Sequence, residues 1–169
     1  MDGISGRIVV GVDGSPGGHA ALRNAIAEGA RRGAVVEVVT AYPDPRPGVL
    51  GGVPQGFPGA LPQVLRELLH DRTSAEAAAL LTELPGPRPR LTVFVGAGDP
   101  ADVLLRAAAG ADLLVVGTHR HGHLAGMLLG SVGRCCVLHS PCPVTVVHAP
   151  PSAPERVRSR VGGGPAGGR

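Results

Sequence analysis

Glycines and one serine between residues 117 and 131 have the types and spacing of a loop that binds an anion. Gly117 and Gly122 have no side chain that would keep a phosphate away from the backbone. Gly130 and Ser131 stand at the predicted start of a short helix, where unpaired amides and the helix dipole attract negative charge. Because the chain contains no lysine, an anion would depend on these amides and on the Ser131 hydroxyl. The alternative is that the glycines only permit a tight connection.

A second polar turn follows the first predicted strand. The run Asp13-Gly14-Ser15-Pro16 supplies a turn, a candidate N-cap in Ser15 and a proline suited to the first position of a helix. A helix is therefore predicted to begin directly after this turn. Asp99-Pro100 has the same pattern and predicts another helix start.

The hydrophobic pattern predicts five strands that alternate with four helices. The strand segments are short, continuous apolar runs, which is typical of strands buried on both faces of a parallel sheet. Right-handed crossovers between them give an α/β fold with an open, doubly wound, five-stranded parallel sheet of order 3-2-1-4-5 and helices on both faces. The predicted strands cover residues 8–12, 35–41, 91–95, 113–116 and 144–147, and the predicted helices begin near residues 16, 61, 100 and 131.

This strand order brings the two turns together. Strands one and four are neighbours at the point where the order reverses, so both turns would border one crevice at the carboxyl ends of the strands. Ligands of doubly wound proteins bind in such crevices. The pairing of the turns strengthens the prediction of an anion site, which a glycine-rich loop alone indicates only weakly.

Three parts of the sequence resemble the signatures of the universal stress protein family. They are residues 8–15, residues 98–102 with 110–117, and residues 115–132 with 140–144. The resemblance covers about residues 6–149, and its last signature is the most specific. It implies an adenine-nucleotide α-hydrolase-like fold and a homodimer formed through the strand from Val144 to His148.

The resemblance also implies ATP binding. ATP-binding members carry a glycine, two residues, a second glycine, nine residues, then glycine and serine or threonine. Gly117, Gly130 and Ser131 match this pattern, whereas Arg120 stands where the second glycine is expected. Arg120 blocks the site if the position requires a positive φ, and clamps a phosphate if its side chain points outward. We expect binding to be retained.

The implied ATP site joins both turns to the end of the second strand. Asp13 would hold the ribose hydroxyls and Ala41 would contact the adenine, with turn stabilisation and core packing as their alternative roles. Magnesium is a candidate companion of the phosphates. The expected cofactor-binding residues are Val12, Asp13, Gly14, Ser15, Ala41, Gly117, Thr118, Arg120, Gly122, Gly130, Ser131 and Val132.

The sequence predicts neither a catalytic residue nor a metal site. His119, His121 and His123 would share one face of an extended loop, as zinc or nickel ligands do, but no carboxylate lies beside them. The three cysteines are interpreted as small apolar fillers. Neither a phosphate-loop lysine nor a nucleophile elbow is present. Binding is therefore favoured over turnover.

Charge and composition predict one domain, residues 1–150, and a tail, residues 151–169. The chain has 16 basic residues, all arginine, against 13 acidic residues, and the tail accounts for four arginines and one glutamate. The first 150 residues are thus neutral, which does not favour nucleic-acid binding. The tail is rich in Arg, Gly and Pro and is expected to be disordered. The role of the Pro/Gly-rich loop at residues 42–62 is not readable from its composition.

Location and function follow from these features as expectations. No apolar stretch approaches the ~20 residues that span a bilayer, and three clustered cysteines fit a reducing compartment. We expect a cytoplasmic protein without a membrane partner that binds ATP as a dimeric stress-response protein. The alternatives are a family member without nucleotide that acts as an interaction protein, and a slow ATPase.

Overall fold

An open sheet of five parallel strands in the order β3-β2-β1-β4-β5 forms the centre of the molecule. The computed structural model describes residues 6–43, 60–118 and 129–149. The predicted α/β fold and strand order are confirmed. The elements are β1 (Arg7–Gly11), α1 (Pro16–Arg32), β2 (Val35–Tyr42), α2 (Ala60–Glu83), β3 (Leu91–Ala97), α3 (Pro100–Ala107), β4 (Leu113–Gly117), α4 (Ser131–His139) and β5 (Val144–Val147).

Most element boundaries lie within one residue of their predicted positions. The exception is β3, which continues to Ala97 because Gly96 and Ala97 still pair with Ala41 and Tyr42 of β2. Glycine and alanine carry little strand signal of their own, so this extension is set by the neighbouring strand. The predicted tail and most of the 42–62 loop lie outside the described residues.

The central strand β1 is buried on both faces. Ile8, Val9 and Val10 are each 0% exposed, as a continuous apolar run predicts for an inner strand of a parallel sheet. Ile8 and Val10 belong to a core with α1 and α2, whereas Val9 belongs to a core with α3 and α4. Because successive side chains of β1 point to opposite faces of the sheet, this one strand contributes side chains to both cores.

Two helices begin at the caps that the sequence predicts. The Ser15 Oγ accepts a hydrogen bond from the Gly18 amide at 3.0 Å at the start of α1. The Asp99 carboxylate accepts from the Ala101 amide at 2.9 Å at the start of α3. These bonds satisfy amides that a helix leaves without an internal partner. They fix both helix starts beside the carboxyl ends of the strands.

The start of helix α1 lies against the end of β4 backbone to backbone, at Gly17 and Gly117. A Cβ built on Gly17 would stand 2.1 Å from the Thr118 carbonyl oxygen, and one built on Gly117 would stand 2.1 Å from the Gly17 carbonyl oxygen. Any side chain at either position would separate the helix from the strand. This approach holds the start of α1 next to the end of β4.

Among the described helices, none has the length and the apolar composition of a membrane-spanning segment.

Candidate functional site

A cleft opens at the carboxyl ends of β1, β2 and β4, between α3 and α4. It lies where the strand order reverses, as expected for a ligand site of a doubly wound sheet. Six of the predicted site residues line it: Val12, Asp13, Ser15, Ala41, Gly117 and Val132. Seven further residues line it that the sequence did not single out: Gly11, Gly18, Val39, Pro100, Leu104, Val116 and Gly133.

The inner wall of the cleft is apolar. Val39 and Ala41 share one face of β2, and Val116 is contributed by β4. Leu104, one helical turn after Pro100, lies over Gly11, where a Cβ would stand 2.9 Å from the Leu104 Cδ1. A glycine at position 11 therefore leaves room for Leu104. The wall suits a flat, apolar group such as a nucleobase.

The turn between β1 and α1 forms the polar rim. The Asp13 Oδ1 accepts a hydrogen bond from the Ser15 amide at 3.0 Å. A Cβ on Gly18 would stand 2.7 Å from the same oxygen, so glycine lets the carboxylate lie over the helix start. The turn-stabilising role of Asp13 is thus present in the structure. Its side chain is also exposed at the cleft, where it is able to accept further hydrogen bonds.

Helix α4 presents its positive end to the cleft. Its N-cap is Gly130, which makes no side-chain hydrogen bond to the helix, in contrast to the caps of α1 and α3. The N-cap residue itself therefore leaves the first-turn amides of α4 available to a ligand. Val132 and Gly133 line the cleft, whereas Ser131 is exposed and does not line it. This end has the polarity and the donors that an anion requires.

Besides Gly130 and Ser131, which lie at the start of α4, four of the predicted residues are not placed in the cleft. Gly14 has φ +76° and faces away from it, against the guanidinium of Arg72. Thr118 is 2% exposed and lies below the cleft, with its Oγ1 3.4 Å from the His148 Nδ1. Arg120 and Gly122 lie outside the described residues, as do the three alternating histidines.

Two of the three cysteines, Cys136 and Cys142, belong to the core beside α4. Cys136 is 0% exposed and Cys142 packs against the same cluster, which agrees with their interpretation as apolar fillers. Burial, with a smaller contribution from Cys135, raises the pKa of Cys136 from 9.0 to about 11. In the described ranges, His, Cys, Asp and Glu form no group of three or more that could hold a metal ion.

The residues that sequence reasoning missed carried only local signals. Val39 stands two residues before Ala41 and so shares its face of β2. Leu104 stands one turn after Pro100 in α3. Gly133 follows Val132 in the first turn of α4. These three residues can be identified as lining residues only after Ala41, Pro100 and Val132 have been placed at the carboxyl ends of the strands.

Comparison of the sequence with known proteins identifies its relatives. The model of the universal stress protein family matches residues 5–148. A universal stress protein of Thermus aquaticus is 37% identical over 142 residues, which are 83% of this chain and 96% of that protein. One of Mycobacterium tuberculosis is 35% identical over 147 residues, 85% of this chain, but the chain spans only 44% of that protein's length.

Solved structures share the fold. A universal stress protein in complex with cAMP is 28% identical, with a TM-score of 0.58 over 86% of this chain and 100% of that one. A family protein of Arabidopsis thaliana with AMP bound has a TM-score of 0.55 over 87% of this chain and 94% of that one. Because that protein is only 17% identical, it supports the fold alone. Family model, relatives and strand order together show that this chain belongs to the universal stress protein family.

Proposed function

We propose that the protein binds ATP in the cleft at the ends of β1, β2 and β4, and acts as a regulatory stress-response protein in the cytoplasm. The observation that carries the proposal is the joining of an apolar wall to a helix start whose N-cap residue, Gly130, makes no side-chain hydrogen bond. A nucleotide has the matching parts, because its base is flat and largely apolar and its phosphates are anionic.

The base and the ribose fit the β1–β2 side of the cleft. Val39 and Ala41 offer apolar contact to the adenine, with Leu104 closing the wall from α3. Asp13 is exposed at the rim beside Val12, and its carboxylate is a strong acceptor for the two ribose hydroxyls. The bond from the Ser15 amide to Asp13 holds this carboxylate in place.

The phosphates fit the start of α4. In the first turn, Val132 and Gly133 line the cleft, and the helix dipole adds a partial positive charge. Gly117 lines the cleft from β4 and permits close approach. Asp13 is the one carboxylate among the described lining residues. Magnesium would therefore be held chiefly by phosphate oxygens, as is usual for that ion.

The solved family members support an adenine nucleotide as the ligand. The protein in complex with cAMP is 28% identical to this chain over most of its length. Cyclic AMP and ATP share the adenine base, so they share the apolar contacts proposed for Val39 and Ala41. They differ at the ribose, because the 3′-oxygen of cAMP is esterified and only ATP offers Asp13 two hydroxyls. The choice of ATP depends on the additional phosphates and on the α4 start.

A second candidate function is that of a family member without nucleotide that works as an interaction protein. It is favoured by one feature, the presence of Arg120 where ATP-binding members carry a glycine. Turnover is not proposed, because the described lining residues include no acid and base pair and no lysine. A slow ATPase would require a water-activating group that this set does not provide.

Calorimetric titration with ATP, ADP and AMP tests the proposal, combined with mass spectrometry of nucleotide released from the purified protein. We expect saturable binding of intact ATP. The matched variant is Arg120→Gly, which restores the family pattern. If it creates binding that the native chain lacks, Arg120 blocks the site and the interaction protein is the correct function. If neither protein binds any adenine nucleotide, the proposed nucleotide site is wrong.

A further inference from the structure

We propose that four arginines at the opposite, amino-terminal edge of the sheet form a docking surface for an acidic protein segment. Arg31 and Arg32 end α1, and Arg88 and Arg90 immediately precede β3. We call these four residues the arginine edge. All four are exposed, and the nucleotide cleft lies at the other end of the strands.

The end of α1 orients the first pair. Glu28 is 9% exposed and forms ion pairs with both Arg31 and Arg32. The spacing of three and four residues places both guanidinium groups on one side of the helix. One buried carboxylate thus arranges two arginines, and it neutralises only one of them.

A proline-bounded segment holds the second pair. In Pro87-Arg88-Pro89-Arg90 the prolines fix φ and restrict the residues before them to extended backbone. The ring of Pro89 turns toward α1, where a Cβ built on Gly29 would stand 3.1 Å from the Pro89 Cβ. The Arg90 carbonyl accepts from the Val36 amide at 2.9 Å. Both arginine side chains therefore leave a rigid backbone on the side away from the core.

The two pairs are neighbours, and their charge is not balanced locally. The contact between Gly29 and Pro89 joins the last turns of α1 to the 87–90 segment. Glu83 is paired with Arg23 at 2.8 Å, and Glu37 is paired with Arg7. In the part of the chain that the structure describes, Arg88 and Arg90 form no ion pair. With Glu28 counted against the four arginines, the arginine edge carries an excess of three positive charges.

Carboxylates are the ligand chemistry that this surface fits best. A guanidinium binds a carboxylate through two parallel hydrogen bonds, and rigid presentation lowers the entropy lost on binding. Stacking of nucleobases requires exposed aromatic side chains, and the residues of the arginine edge and its proline segment include none. Three excess charges are also few for a phosphate backbone. An acidic peptide segment is therefore the partner that we infer.

Fluorescence anisotropy of a labelled peptide of glutamate and glycine, at low ionic strength, tests the inference on the full chain. We expect the peptide to bind the native protein, and the double variant Arg88→Glu with Arg90→Glu to weaken binding by about tenfold or more. The matched control is Arg66→Glu with Arg134→Glu, two exposed arginines outside the arginine edge. This control makes the same change in net charge and keeps residues 151–169. We expect its affinity for the peptide to fall by no more than about twofold.

Three results would overturn the proposal. The first is that the native protein does not bind the peptide, and the second is that peptide affinity falls equally in the variant and in its control. The third is that the native protein binds an oligonucleotide of matched charge more tightly than the peptide, and that the same variant abolishes this binding. Thermal melting of each variant, and nucleotide titration of the Arg88→Glu with Arg90→Glu variant, establish that the fold is intact, since the arginine edge is remote from the cleft. If the charge reversal prevents folding, Arg88→Gln with Arg90→Gln replaces it, with the same expected direction.

Discussion

The position of Asp13 is compatible with both roles that the sequence left open as alternatives. Its Oδ1 accepts from the Ser15 amide and fixes the turn into α1, and the same carboxylate stands at the rim of the cleft. The turn requires only an acceptor oxygen, which a neutral amide also has. A ribose contact gains from the negative charge. The two roles therefore separate on substitution.

The substitution Asp13→Asn is expected to weaken ATP binding by about tenfold while the free energy of unfolding changes by less than about 0.5 kcal/mol. The asparagine Oδ1 still accepts from the Ser15 amide, so the turn is retained. Titration calorimetry and denaturant unfolding measure the two quantities. Asp99→Asn is the matched control, because the Asp99 Oδ1 likewise accepts from the amide two residues later and lies outside the lining of the cleft. The affinity of this variant for ATP should equal that of the native protein.

Burial of Cys136 makes protein stability depend on pH above neutrality. Its pKa is raised from 9.0 to about 11 by burial and by Cys135, so the unfolded chain loses this proton first as pH rises. Below pH 9 the neutral, buried thiol makes its full contribution to the free energy of unfolding. This contribution, about 2 kcal/mol, is lost as the pH rises from about 9 to 11. Urea unfolding at pH 8 and pH 10.5 measures it. The fall in unfolding free energy should be smaller by this amount in Cys136→Ala, and an equal fall in both proteins would contradict the assignment.

At the scale of single residues, the sequence predicted half of the candidate site. Motif residues that end a strand, such as Val12 and Gly117, are found at the cleft because strand ends are fixed by the apolar runs before them. Leu104 and Val39 were missed because they look like ordinary core residues, and only the packed structure decides which core residue meets open space. Gly14 was expected in the cleft but is not among its described lining residues.

Two glycines determine how one helix and one strand meet. Gly17 of α1 and Gly117 of β4 approach each other backbone to backbone. Gly117 was predicted as a phosphate-loop glycine, and the structure gives it a second reason, since a side chain there would displace α1. The geometry of the cleft rim depends on this contact, because Asp13 and Ser15 precede the same helix.

The substitution Gly17→Ala tests the contact because two effects have opposite signs. Helix propensity alone favours alanine by up to about 1 kcal/mol, whereas the new Cβ would stand 2.1 Å from the Thr118 carbonyl oxygen. We expect a net destabilisation of about 2 kcal/mol or more. Denaturant unfolding measures it. Gly110→Ala, with φ +72° and no atom within 4 Å of the new Cβ, should cost only about 1 kcal/mol, and stabilisation by Gly17→Ala would refute the steric account.

At the scale of elements, the order of strands and helices was predictable and the contact between α1 and β4 was not. Continuous apolar runs such as those of β1 and β4 predict inner strands, and N-cap residues such as Ser15 predict helix starts. The sequence around a glycine does not predict which other backbone segment the glycine will contact. That information depends on residues about a hundred positions apart in the chain.

At the scale of the whole molecule, the edge strand β5 is the expected dimer surface. All four of its residues are half-buried in the single chain, and α4 beside it exposes Val137 at 48% and Leu138 at 64%. Pairing of two copies along this edge would cover these side chains. The homodimer itself stays a prediction, as does the division between residues 1–150 and the tail.

The substitution Leu138→Arg is expected to convert the dimer to a monomer, because a charge would be buried at the interface. Light scattering after size-exclusion chromatography measures the mass. Leu68→Arg is the matched control, since Leu68 is 63% exposed on α2, on the far side of the sheet, and this variant should remain dimeric. A native protein that is monomeric at micromolar concentration, or a dimer that survives Leu138→Arg, would exclude this interface.

The pairing of β1 with β4 has a consequence for the order of folding. Ile8 lies opposite Leu113, so closing this pair requires a loop of more than a hundred residues. Such long-range parallel pairing is expected late in folding, after the more local β1–β2 pair. Both walls of the cleft depend on that step. The binding cleft is therefore absent from a partly folded chain, and a nucleotide bound there would slow the first opening of the sheet.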